Sequence, residues 1–321
     1  MNFVNRRKYL IIFCYTALFL LAGCQLSENA GRKEKGTAET IETVSEVAID
    51  PTTAESIIVT ERKEQTESVA DTVAEPPAVP AAETAGETTE EPTVWTEPVT
   101  EYIPKIKNTS EYVIAIDAGH QARGNFEKEP IGPGAEETKN KVAGGTSGVS
   151  SGMPEYELTL AVALKLKALL LERGYQVLMI RETNDVDISN AERAIMANNA
   201  GADVFLRIHA DASEAGSANG MTALCQTVEN PYNGSVYSYS RKLSECVLDA
   251  MAAETGARNR GIIETDTMSG INWSQVPVTI IEMGFMTNVQ EDQRMSTEDY
   301  QSKLALGMAQ GIENYLAGLG Q

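Results

Sequence analysis

Short apolar, β-branched runs alternate with helix-period segments along the last two-thirds of this chain, and that alternation restricts the fold more than any other feature. "YVIAIDA", "YQVLMI", "DVFLRI" and "VPVTIIEM" read as buried strands, with "MTALCQ" as a further one. Between them, "EYELTLAVALKLKALLLERG" sets Leu158, Val162, Leu166 and Leu169 at helical spacing and meets a stop at Gly174. "SNAERAIMANNAGA" opens on Ser189 as a cap, and "VYSYSRKLSECVLDAMAAETG" and "DYQSKLALGMAQGIENYLAGL" are longer helices. Strands and helices in alternation predict an α/β domain whose mostly parallel sheet is covered by helices on both faces. In such sheets a ligand binds beyond the carboxyl ends of the strands.

The 321 residues include only two histidines. His120 follows the first strand, in "IAIDAGHQ", and His209 follows the third, in "LRIHADAS", so both are expected to overhang one crevice. Glu282 ends the last strand, where a carboxylate is costly unless it is paired, solvated or used. Two imidazoles and a carboxylate suit a catalytic zinc that keeps one position for water. The chain has no HExxH helix, and ligands this far apart leave the ordinary reading, core or surface histidines, open at this point.

The front of the chain is different. Arg6, Arg7 and Lys8 precede an apolar stretch from Tyr9 to Leu21, too short for a comfortable bilayer span and typical of a secretory signal. Leu21-Ala22-Gly23-Cys24 matches the bacterial lipobox, in which the chain is cut before the cysteine and its thiol carries a lipid. On that reading residues 1–23 are a signal peptide and Cys24 is lipidated; an ordinary signal peptide or a membrane anchor is the alternative. Each places the remainder outside the cytoplasm, with membrane attachment through the lipid in the first case.

Residues 24–110 form a Glu-, Thr- and Pro-rich stretch; from Gln25 to Ser110 it holds 18 acidic and 7 basic residues. That composition predicts a disordered tether without catalysis of its own. As a flexible coil it would span roughly 50 Å root-mean-square, more with self-repulsion. The remaining 211 residues, 111–321, suit a single domain with a sizeable core. Their net charge of about −12 out of −20 argues against a nucleic-acid partner. Cys225 and Cys246 are the only thiols after the lipobox, and their spacing does not say whether they pair.

Four blocks in order, "IAIDAGHQ", "EYELTLAVALKLKALL", "ANNAGADVFLRIHADAS" and "VPVTIIEMGFMTN", resemble the zinc-dependent N-acetylmuramoyl-L-alanine amidases of bacterial cell walls, the type-3 group. The resemblance covers residues 111–321 and not the tether. It implies one α/β domain, phosphorylase/hydrolase-like, holding one Zn2+ on His120, Glu155 and His209, with Glu282 as catalytic acid/base. Glu157 is the rival of Glu155; two residues along a helix turn it about 200° away, so both cannot face one ion. The leucines and alanine after Glu155 fit the family better.

The implied reaction is hydrolysis of the amide between N-acetylmuramic acid and L-alanine in peptidoglycan, by a zinc-activated water. Two departures from the family's usual form stand out. "DAGHQ" replaces "DPGHGG", and the loop from Arg123 to Pro154 is long and Gly-rich, either a substrate filter, a lid or a plain insertion. Arg181 either contacts an anionic part of the substrate or belongs to a structural ion pair. A zinc peptidase acting on stem peptides and a wall-binding lipoprotein are the competing readings. No motif names a regulatory protein.

Overall fold

The computed structural model describes residues 101–319. The signal segment, Cys24 and nearly all of the tether lie outside the described residues. In chain order the elements are β1 (Val113–Ala118), β2 (Asn125–Pro130), β3 (Thr138–Val142), α1 (Glu155–Glu172), β4 (Gln176–Met179), α2 (Asn190–Asn199) and β5 (Val204–Asp211). They continue with β6 (Met221–Cys225), α3 (Tyr237–Thr255), β7 (Asn259–Glu264), α4 (Ser269–Asn272), β8 (Val278–Phe285), α5 (Val289–Met295) and α6 (Glu298–Gly318).

Six strands make the central sheet, in the order β4-β1-β5-β8-β6-β7. β4, β1, β5 and β8 run parallel; β6 pairs antiparallel with β8, and β7 parallel with β6. Alternation along β1 splits the core. Ile114, Ile116 and Ala118 face the layer of α1, α3 and α6, while Ala115 faces α2 and α4. On the first face Leu158, Val162 and Leu166 of α1, Leu243 and Val247 of α3, and Leu304, Met308 and Ile312 of α6 are fully or almost fully buried. The expected α/β sheet, mostly parallel and helix-covered, is what the chain forms.

Local signals act where expected. Ser189 Oγ accepts from Glu192 N at 3.2 Å, and Glu192 Oε2 accepts from Ser189 N at 2.7 Å, a reciprocal cap for α2. Gly174, just beyond α1, adopts φ +88°, a left-handed conformation that ends the helix. Several features differ from expectation; among them, β8 runs on past Glu282 to Phe285, so that carboxylate lies inside its strand rather than ending it. The long loop contains the hairpin β2–β3, β7 forms an edge strand, and β5 runs on past "DVFLRI" to Asp211, so His209 lies inside the strand. The reason for the last is the ladder to β8, which pairs Ile208 with Ile281 and His209 with Glu282 before an irregularity ahead of Asp211. Cys225 and Cys246 are both free thiols.

The ten residues before Glu111, grouped with the tether by composition, lie along the end of the sheet where β1, β4 and β5 begin. Lys107 Nζ sits 2.8 Å from Asp203, whose Oδ2 also accepts from Val113 N at 2.8 Å. Gln176 Nε2 donates to Ser110 O at 2.7 Å, and the rings of Tyr102 and Tyr239 meet edge to face at 5.2 Å.

The tightest helix contact joins α3 and α6. A Cβ on Gly311 would stand 2.4 Å from Val247 Cα, and one on Gly307 2.7 Å from Met251 Cα. Hydrogen at these positions is what lets the two backbones touch. Gly311→Ala is expected to destabilise the domain by about 1–3 kcal/mol through overpacking, despite alanine's better helix propensity. A urea midpoint at or above that of the wild type would contradict this packing.

Candidate active site

β1 and β5 are adjacent, and their carboxyl ends bring His120 and His209 together, with ring centroids 4.8 Å apart. Glu282 is paired with His209 across the β5–β8 ladder. Glu155, the first residue of α1, reaches both imidazoles: its Oε2 lies 3.2 Å from His120 Nε2 and its Oε1 3.2 Å from His209 Nδ1. The ligand atoms of His120, Glu155 and His209 all lie within 4.8 Å of one another. Glu157 is exposed on α1 and takes no part.

The turn after β1 holds His120 at backbone cost. His120, at φ +60°, is the only non-glycine with positive φ among the described residues. Three consecutive carbonyls are clamped around it. Arg181 donates to Ala118 O at 2.7 Å and Gly119 O at 3.0 Å; Arg193 donates to Ala118 O and His120 O at 3.1 Å each. Arg181 also donates to Tyr156 O at the start of α1, so it ties the His120 turn to the Glu155 helix. It is therefore a structural anchor rather than a group facing the crevice. Gly119 is required by proximity, since a Cβ there would stand 2.4 Å from the His209 ring.

Beneath this turn lies an ion cluster. Asp117 accepts from Arg193 Nη1 at 2.6 Å and from Arg207 Nε at 2.9 Å, and all three side chains are almost completely buried. Burial opposes the Asp117 charge, but the two guanidinium groups outweigh it and hold the carboxyl below its ordinary range.

Glu155 is placed from both directions. Thr146 N donates to Oε2 at 3.0 Å and Ala210 N to Oε1 at 3.1 Å. The loop before α1 is pinned in turn by Asp292 of α5, which accepts from Ser150 N, Ser151 N and Ser151 Oγ at 2.6–2.7 Å. His120 Nδ1 is 2.9 Å from Ala143 O, an acceptor that keeps a proton on Nδ1 and turns Nε2 towards Glu155. Burial disfavours the imidazolium of His120, and the Glu155 carboxylate outweighs it, so its pKa is raised; for His209 burial prevails and the pKa is lowered.

Glu282 has a different character. Its Oε2 is buried without a hydrogen-bond partner. Desolvation, with Glu155 and Asp211 nearby, pushes its pKa well above the ordinary carboxylate value. A carboxyl whose proton is held more tightly than usual, beside the candidate metal ligands, is suited to general acid/base work.

Two depressions meet at these side chains, both lined by His120, His209 and Glu282. One is a crevice of about 320 Å³ bounded by β3 (Lys139, Asn140) and by Met268, Ser269 and Gly270 around the start of α4, with Arg207 in its lining. The other, about 300 Å³, is lined by Gly144, Gly145, Thr146 and by Ala210, Asp211 and Ala212 at the end of β5. Hairpin β2–β3 is a fixed wall. Glu129 is buried and accepts from Ser269 Oγ at 2.9 Å and Ala191 N at 3.1 Å, while Trp273 Nε1 donates to Pro130 O at 2.9 Å. Sequence reading singled out neither Arg207, Asp292 nor the hairpin. The buried Glu129 within the polar run "NFEKEP" was the one available signal, and it has no meaning until its partners are known.

Fold and site define an α/β domain carrying a His-Glu-His donor set beside an unpartnered carboxyl at the strand ends. The chain belongs to the N-acetylmuramoyl-L-alanine amidase family, whose sequence model matches residues 114–314. It is 29% identical over 193 residues to the amidase LytC of Bacillus subtilis, covering 56% of this chain but only 37% of LytC. It is 28% identical over 223 residues to the amidase Rv3717 of Mycobacterium tuberculosis, covering 67% of this chain and 90% of that protein. The crystal structure of the amidase Ami1 from Mycobacterium smegmatis superposes with a TM-score of 0.60 at 25% identity, over 66% of this chain and all of Ami1.

The Glu282 environment has a consequence for stability. An unfolded glutamate ionises near pH 4.5, whereas folded Glu282 keeps its proton to higher pH, so raising the pH past 4.5 favours the unfolded chain. In chelator-treated protein, Glu282→Gln is therefore expected to raise Tm at pH 7, with the two proteins converging at pH 4. A Tm difference that is the same at both pH values would place its origin elsewhere.

Proposed function

We propose that this domain hydrolyses the amide joining the lactyl group of N-acetylmuramic acid to L-alanine in peptidoglycan, using one zinc ion held by His120, Glu155 and His209. The observation that carries the reading is the convergence of those three donors beside Glu282, from four separate elements, in a chain of this family. The residues fit zinc on their own chemistry. Two borderline imidazole nitrogens and one hard carboxylate oxygen are a donor set that zinc accepts, of the right number for a catalytic site, and one side remains open to the two depressions. Glu155 turns one oxygen to each histidine at 3.2 Å, and one donor atom from each of the three residues lies within 4.8 Å of the others, a grouping compact enough to share one ion.

When bound, zinc supplies Lewis acidity, polarising the substrate carbonyl and making water a nucleophile near neutral pH. The rest falls to the protein. Glu282, short of hydrogen-bond partners and ready to be protonated, accepts the proton of the attacking water and returns it to the departing alanine nitrogen. Ala143 O keeps His120 in one tautomer, and Thr146 N and Ala210 N hold Glu155 in register. A stem peptidase would use the same donors; the family match favours the amidase. The lipobox reading adds a lipid on Cys24 and an extracytoplasmic, membrane-held location. Among the described residues no helix is long and apolar enough to cross a membrane.

Purified full-length protein with zinc should release stem peptides with free L-alanine amino termini from muropeptides, leaving peptide-free glycans; intact muropeptides would refute the amidase reading. Glu282→Ala is expected to lower kcat by about 10²–10⁴-fold with zinc content unchanged, whereas His209→Ala loses both. In a bacterial host, Cys24→Ser should abolish incorporation of a labelled fatty acid, and label retained by the variant would refute the lipid assignment.

A further inference from the structure

The two depressions differ in charge. Away from Glu282, the crevice beside the hairpin is lined by two cations, Lys139 and Arg207, and by no carboxylate. The depression on the other side has no cation and includes Asp211. A chain with a net charge of −20 thus keeps one pocket at its candidate site cationic.

Arg207 is the unusual member. Its Nε is bound to Asp117 and its Nη2 donates to Asn190 Oδ1 at 2.7 Å, but Nη1 makes no hydrogen bond to the described residues. The side chain is 4% exposed, and it lines the crevice with Asn190 and Gly270. Gly270 has no room for a side chain, because a Cβ there would stand 1.7 Å from Nη1. Lys139 Nζ donates to Thr267 O at 2.6 Å and so joins the two walls of the same crevice. A nearly buried guanidinium with an unused N–H, fixed through its other nitrogens, is preorganised for an anionic oxygen.

Resting on the amidase reading, we propose that this crevice receives the peptide side of the substrate and that Arg207 Nη1 binds a carboxylate of the stem peptide. The glycan, whose sugars carry no carboxylate of their own, lies across the depression on the far side of Glu282, which Glu155 and Asp211 line and no cation does. Arg207 is then a specificity-determining residue that links substrate charge to the Asp117 cluster beneath His120.

The test uses the full-length zinc protein and three synthetic substrates: N-acetylmuramoyl-L-alanyl-γ-D-glutamyl-L-lysine, its glutamyl α-amide and its C-terminal amide. One of the two amides should raise KM about tenfold or more with kcat little changed, as befits loss of a charge-assisted bond, and which one does so identifies the carboxylate. Arg207→Met should bring the KM of the free acid to that of the discriminated amide. Gly270→Ala, which displaces the guanidinium without removing its charge, should raise KM for the free acid as well and serves if Arg207→Met fails to fold. Equal KM for all three substrates in the wild type, or discrimination surviving in either variant, overturns the assignment while leaving the amidase reading intact. No cleavage of any substrate overturns the amidase reading and this one with it.

Discussion

The buried carboxylate of Asp117 is the interaction on which the site depends. It lies on β1, draws Arg193 from α2 and Arg207 from β5, and is almost completely enclosed. A buried charge lacking either partner would be strongly unfavourable, so the three elements are locked to one arrangement. Each arginine then acts on the site above. Arg193 grips the His120 carbonyl and the Gln121 side chain, while Arg207 forms part of the crevice lining. The electrostatics that hold the sheet to α2 therefore also set the backbone around a candidate metal ligand.

Much of this was legible in the sequence. The strand runs and helical faces are strong because burial on both sides of a sheet demands nearly continuous apolar segments, and the two histidines and Glu282 stood out at strand ends. Glu155 was legible only through the family blocks, because a glutamate at a helix start looks like any other first-turn acid; the exposed Glu157 had the same local credentials. The hairpin was hidden because β2 and β3 are largely polar, their exposed residues carry no period-two signal, and their anchor is one buried glutamate whose partners, Ser269 and Ala191, lie 62 or more residues away. Arg207 and Asp292 were hidden for a related reason: a charged residue in a strand or a short helix declares its role only when long-range partners arrive.

Strain and desolvation are concentrated where the chemistry is proposed. His120 takes a left-handed backbone, Gly119 leaves no margin against the His209 ring, and Glu282 buries an oxygen without a partner. None of these serves the stability of the fold. Arg181, Arg193, Asp292 and the well-packed α1–α3–α6 layer hold the surrounding structure firmly enough for such features to persist.

The segment from Glu101 to Ser110 lies against the ends of β1, β4 and β5 where those strands begin, and the histidines stand where β1 and β5 finish. Entry and reaction thus occupy opposite poles, a strand length of roughly 20 Å apart. An attachment made at Glu101 would therefore leave the mouth of the crevice unobstructed, because nothing joined at that pole comes near His120 or His209.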